Sequence, residues 1–211
     1  MDGGELPDRR RRRGPEEERI VTAGRERIGC VGGVDLWRLP LDLPETEAAR
    51  SWEALSDSER ERAARLSLPE VRRRFVAARG GLRRVLAGYL AVPPRSLSLR
   101  EGPHGKPMLP GGPRFSLSHS GELALCAVAR DREVGVDVER LRAVPEADHI
   151  ASRWFSEEEL AAYRAAIDSV PGGAFLRLWT RREAYLKAVG LGLSDSAAGV
   201  AIDPERWELH E

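Results

Sequence analysis

The sequence predicts an α+β protein built from two similar α+β halves related by a pseudo-twofold axis. Three observations predict it. Short alternating stretches of apolar and polar residues sit among longer runs whose apolar residues recur at helical spacing. An order of strand, capped helix and long helix then occurs twice. Val34-Asp35 stands 102 positions before Val136-Asp137, and Leu55-Ser56 stands 100 before Phe155-Ser156. Finally, the helical pattern over 75–89 has a counterpart over 178–193, where Glu183 and Lys187 stand against Gly80 and Arg84. Chance likeness of two helices rich in arginine and alanine is the competing explanation. The expected division is a disordered tail over 1–27, one half over 28–130 and a second over 131–211.

Composition narrows the function classes. Lys plus Arg and Asp plus Glu are both 34 in 211 residues, so no global field draws the chain to nucleic acid or membrane. Cys30 and Cys126 are too few and too far apart for a disulfide framework or a metal knuckle, which fits a reduced compartment. No apolar run reaches transmembrane length, and the arginines near the start precede no hydrophobic stretch. A soluble cytoplasmic protein is the expectation.

The elements follow in order. Arg9 to Arg13, then Glu16 to Glu18, lie in a polar stretch that buries too little to offset its ordering entropy. Its arginines could touch a polyanion, but a solvated tail is the simpler reading. Order is expected from Val31, with a strand over 34–39 and a helix over 45–55. Ser56 and Glu59 form a capping-box pattern before a charged helix to Leu66. Pro69 opens a long helix that ends before Pro93-Pro94. A short strand over 97–99, a Gly/Pro loop over 102–113, and strands over 115–118 and 123–129 complete the first half. In the second half, 134–139 reads as a strand, and Ser156 with Glu159 caps a helix to about Ile167. A helix over 175–189 ends at Gly190, with closing strands over 200–202 and 207–209.

Three stretches carry chemistry. In Val134-Gly135-Val136-Asp137-Val138-Glu139 the valines share one face and the acids the other. Carboxylates roughly 6.5–7 Å apart along a strand repel unless a cation sits between them. This is a metal shelf on a core strand, or an edge strand with a solvated acidic face. On the later helix Glu183 and Lys187 share a face at i,i+4, flanked by Trp179, Tyr185 and Leu186. An isolated pair of that kind is a surface ion pair; the bulky neighbours argue for burial. Lys106, held between Gly105 and Pro107, and the run Ser118-His119-Ser120-Gly121 resemble a phosphate cradle, or a turn whose hydroxyls cap nearby amides. His104, His149 and His210 have no metal-ligand spacing.

Taken together, Gly135-Val136-Asp137-Val138-Glu139, Trp154-Phe155-Ser156-x-x-Glu159 and Trp179-Thr180-x-x-Glu183-Ala184-x-x-Lys187-Ala188-x-Gly190-x-Gly192-Leu193 resemble the signature of the 4′-phosphopantetheinyl transferases. Gly105-Lys106-Pro107 and Phe115-Ser116-Leu117-Ser118-His119-Ser120 match further motifs of the longer, pseudodimeric type that activates nonribosomal peptide and polyketide synthases. The resemblance implies Mg²⁺-dependent (or Mn²⁺-dependent) transfer of phosphopantetheine from coenzyme A to a serine of an apo acyl or peptidyl carrier protein, with release of adenosine 3′,5′-bisphosphate. It implies Asp137, Glu139 and Glu183 as metal ligands and Lys187 at the transferring phosphate. Arg79, Lys106, Pro107, Ser118 and His119 would hold coenzyme A, with Arg60 and Arg62 near basic residues of similar role. Arg182 stands where some relatives have lysine. Glu183 is the candidate base, while Glu159 and Ser156 are explained by capping. A monomer is expected, since the two halves make a pseudodimer. The rivals are an acidic-residue metal nuclease or phosphohydrolase, which leaves the Lys106 and Ser118–Ser120 segments without a job, and a noncatalytic binding module using the arginine tail.

Overall fold

The computed structural model describes residues 21–22, 24–102, 105–166, 171–192 and 202. It is an α+β protein organised on an antiparallel sheet in the order β1-β2-β3-β7-β6, formed by β1 (Val21–Thr22), β2 (Arg25–Val31), β3 (Val34–Pro40), β6 (Arg114–Ser120) and β7 (Leu123–Ala129). A two-stranded ladder of β4 (Arg100–Glu101) and β5 (Pro107–Met108) lies outside it. The first-half helices are α1 (Glu45–Ala54), α2 (Asp57–Arg65) and α3 (Pro69–Leu90); the second-half helices are α4 (Ala147–Trp154), α5 (Glu157–Ala165) and α6 (Gly173–Val189).

Alternation along the strands sorts the sheet into two faces. Trp37 and Leu39 of β3, Phe115 of β6 and Cys126 and Val128 of β7 pack on Leu82, Val85 and Leu86 of α3. Val34, Leu36, Ala127 and Ala129 face the other way and meet Val134 and Val136. A separate cluster in the second half joins Ala151 and Phe155 to Phe175, where the rings of Phe155, Phe175 and Trp179 stack in series. Two helix starts share one device. Ser56 and Ser156 each accept the third amide of their helix, and Glu59 and Glu159 each reach back to the cap amide. A buried arginine from the long helix bonds each glutamate: Arg83 to Glu59 and Arg182 to Glu159.

Several expectations are corrected. Segment 134–139 is not a strand: it runs in extended form beyond β6 without joining a ladder. Residues 97–99 likewise join no ladder, which begins at Arg100. Order starts well before Val31, because β2 pairs with β1 and, from Glu26 to Val31, with β3, so residues 21–22 and 25–27 of the expected tail belong to the sheet. Helix α4 was not expected. Residues 1–20, the strand over 207–209, Val200 and Ala201, and His104 and His210 lie outside the described residues, while Ile202 is in no strand.

Candidate active site

Strand β6 is the divide on which the site is built. Its alternate residues Ser116, Ser118 and Ser120 point to the face away from α3, whereas Leu117 packs towards it. On the serine side lies segment 134–140, held by hydroxyls instead of backbone pairing. Ser116 Oγ accepts the Val136 amide at 3.1 Å, and Ser120 Oγ accepts the Arg140 amide at 3.0 Å. Gly135 explains how close this strap comes to α6. A Cβ there would stand 1.8 Å from the Ala184 carbonyl oxygen and 2.6 Å from the Ala188 amide nitrogen. Only a residue without a side chain permits that approach.

This contact delivers Asp137 to Lys187. The Lys187 Nζ lies 2.5 Å from Asp137 Oδ1 and 3.0 Å from Ser118 Oγ. An ammonium only donates, so Ser118 accepts from Lys187 and gives its own proton to Asp137 Oδ1 at 2.6 Å. The other oxygen, Asp137 Oδ2, is buried and has no hydrogen-bond partner among the described residues. Glu139 Oε2 accepts from Ser120 Oγ at 2.9 Å. Glu183 stands one turn before Lys187 on α6. Its carboxyl is pushed above the ordinary carboxylate range, first by burial; Lys187 opposes the shift, and the charges of Asp137 and Glu139 add to it. Asp137, Glu139, Glu183 and Lys187 line one cavity of about 330 Å³ with Ser118, His119, Leu117 and Trp179. Trp179, one turn before Glu183, was read from sequence only as a bulky neighbour.

Across β6 lies a second cavity of about 660 Å³, walled by Arg62, Arg79, Phe75 of the helical side and by Pro107, Leu117 and His119. Leu117 and His119 line both. Burial pulls the Arg79 guanidinium below its ordinary pKa; Glu59, 3.9 Å away, opposes this, and Arg62 and Arg83 add to it. Arg74 also lines this cavity, although it is paired with Asp42 and Glu70.

Other residues singled out from sequence lie elsewhere. Lys106 donates to the Lys187 carbonyl at 2.7 Å and the Val134 carbonyl at 3.4 Å, tying its loop to the end of α6 and to the strap. It also lines a cavity of about 550 Å³ that shares Glu183 and Lys187 with the acidic one. Burial lowers its pKa, against the pull of Glu133. Arg60 lies over the Trp52 ring and bonds the Trp52 and Glu53 carbonyls, away from both cavities. Arg182 is fully buried on Glu159, and Ser156 and Glu159 form the cap.

The donor set suits a hard cation, since it is all oxygen, and the orphaned Asp137 Oδ2 is a buried acceptor that a cation would satisfy. Among the described residues no three His, Cys, Asp or Glu side chains are drawn together as a formed ion site. The acids share a cavity, with Lys187 on one oxygen of Asp137.

Three carboxylates and a lysine in one cavity, sharing two lining residues with an arginine-walled one, equip an α+β enzyme to handle phosphate groups. Known proteins sharpen that class. The model of the 4′-phosphopantetheinyl transferase superfamily matches residues 133–211. Over 166 residues the chain is 43% identical to the 4′-phosphopantetheinyl transferase HetI of Nostoc sp., spanning 76% of this chain and 70% of that one. It is 31% identical to a 4′-phosphopantetheinyl transferase of Bacillus subtilis over 72% of this chain and 67% of the relative. With the 4′-phosphopantetheinyl transferase Sfp of the same species it shares 29% identity, over 82% and 73%. The chain belongs to the 4′-phosphopantetheinyl transferase superfamily and is a transferase.

Proposed function

We propose that this transferase moves 4′-phosphopantetheine from coenzyme A to a serine of an apo acyl or peptidyl carrier protein and releases adenosine 3′,5′-bisphosphate. The observation that carries the reading is that two cavities share Leu117 and His119 in their walls, with acids and Lys187 lining one and Arg62 and Arg79 the other. Clustered guanidiniums repel one another, and an anionic nucleotide end would relieve that repulsion. The transferring pyrophosphate then lies at the acidic side, beside Lys187.

Mg²⁺, or Mn²⁺ in its place, would be held by Asp137, Glu139 and Glu183 and would offset charge on the pyrophosphate oxygens. The carrier serine oxygen forms the new bond to the pantetheine-bearing phosphorus, and the bond from that phosphorus to the bisphosphate breaks. Glu183 takes the serine proton, directly or through a water. Lys187 steadies the leaving group. Transfer is direct, without a covalent enzyme intermediate: the Ser118 and Ser120 hydroxyls beside the acids already accept from Lys187 and from the Arg140 amide and serve to hold the site.

We infer also that the two halves are a duplicated unit with a pseudo-twofold axis, working as a monomer in the cytoplasm. The paired capping boxes and the buried Arg83 and Arg182 support the duplication. Matching those arginines makes Arg84, rather than Gly80, the counterpart of Glu183. Exposed Leu68, Val71 and Leu141, set among arginines, are suited to an acidic helical carrier.

Thermal unfolding tests the donor. Coenzyme A with Mg²⁺ should raise the midpoint, and DNA or RNA should leave it unchanged. A rise with nucleic acid and none with coenzyme A would replace this reading with the nuclease one.

A further inference from the structure

The three serines of β6 do the work that backbone pairing does elsewhere in the sheet, but they do not do it alike. Ser116 is the plain case: its hydroxyl accepts the Val136 amide and is buried. Ser118 is drawn into the Asp137–Lys187 contact. Ser120 sits at the end of the strap and makes two bonds of opposite sense. Its Oγ accepts the Arg140 amide at 3.0 Å, and it donates to Glu139 Oε2 at 2.9 Å. A hydroxyl has one proton. With the amide committed as donor, that proton goes to the carboxylate, so the backbone at Arg140 and the side chain of Glu139 are fixed through one atom.

We propose that Ser120 is a positioning residue of the active site, holding Glu139 by one oxygen so that the other is presented to the cation. This rests on the metal reading above and adds to it a residue outside the ligand set. The strap has no ladder to orient it, and Gly135 fixes it only at its start, against Ala184 and Ala188. Without Ser120 the end of the strap loses its fastening to the sheet and Glu139 its hydrogen-bond donor. The carboxylate then samples other rotamers, which lowers its effective concentration at the ion. Loss of a group that orients a metal ligand typically costs about 10- to 100-fold in metal affinity.

The test is Mn²⁺ binding to the full chain in the presence of coenzyme A, read by electron paramagnetic resonance, with amide hydrogen exchange on the same proteins. Ser120→Ala should weaken Mn²⁺ binding by about tenfold or more and speed exchange at Arg140, at an unchanged unfolding midpoint. Ser120→Thr, which keeps the hydroxyl, should restore both. Ser116→Ala should speed exchange at Val136 and leave Mn²⁺ affinity at the wild-type value. Wild-type Mn²⁺ affinity in Ser120→Ala, with the wild type binding the ion, would overturn this assignment alone. Failure of the wild type to bind Mn²⁺ would overturn it together with the metal reading.

Discussion

Asp137 is the residue whose two oxygens lead different lives. Oδ1 is crowded by Lys187 and Ser118, while Oδ2 is buried without a partner among the described residues. A carboxylate kept this way is costly unless something charged arrives, which is why it reads as a functional group. Asp137→Asn retains the shape and removes the charge. It should lower the transfer rate by about 10²- to 10³-fold with an unchanged circular dichroism spectrum; a wild-type rate would remove Asp137 from the site. Cys126 is the contrasting case of a buried group with no task. Complete burial pushes its thiol up to about 12. Iodoacetamide at neutral pH should therefore leave Cys126 unmodified in the folded chain and label it only after unfolding, as peptide mapping would show. The shift is upward, so the stability it reflects is present below the thiol's ordinary value of 9.0 and is lost as pH climbs towards 12.

At the scale of elements, two close fits carry the site. Gly135 against α6 is one, and Gly135→Ala should destabilise by about 1–3 kcal/mol through overpacking and cost activity as the strap is pushed outward. The buried Arg182–Glu159 pair is the other. Arg182→Met should cost about 3–5 kcal/mol in urea unfolding, because Glu159 loses the cation that offsets its burial; a change within experimental error would mean the pair contributes nothing. The sequence showed such elements where the signal is local. Ser56 with Glu59 and Ser156 with Glu159 announce helix starts, Val34–Leu39 alternates as a half-buried strand does, and Leu123–Ala129 is apolar throughout, as a fully buried strand is. It misled where pairing is not local. The alternation of 134–139 was read rightly, since Val134 and Val136 do face the sheet and the acids do face the cavity. Its partner, however, is a row of hydroxyls, and no pattern within the segment distinguishes that from a ladder. β2 was lost because Arg25, Glu26 and Arg27 look like tail, yet Arg27 pairs with Asp35 across the ladder at 3.0 Å. Of the site, the acids and Lys187 were legible as charges with unusual neighbours. The bonding of Lys106 to two carbonyls was not, because it depends on where α6 ends.

The whole molecule joins two cores through one edge strand. α3 covers one face of the sheet, the strap covers part of the other, and α6 lies against the strap with Lys106 clamping its last turn. Among the described residues no helix is long and apolar enough to cross a membrane. Everything named at the site lies at or after residue 62, so removing residues 1–20 should leave the transfer rate unchanged; loss of activity would give the arginine-rich stretch a role in catalysis or carrier docking. In the proposed function the cavities on either side of β6 hold one substrate, coenzyme A, and its phosphopantetheine passes to a carrier. Intact-mass spectrometry of an apo carrier protein, incubated with this protein, coenzyme A and Mg²⁺, tests it directly. The expected result is a carrier heavier by one phosphopantetheine, with no gain when Glu183→Ala replaces the wild type. A carrier that keeps its apo mass with the wild type, or gains the group equally with Glu183→Ala, would contradict it.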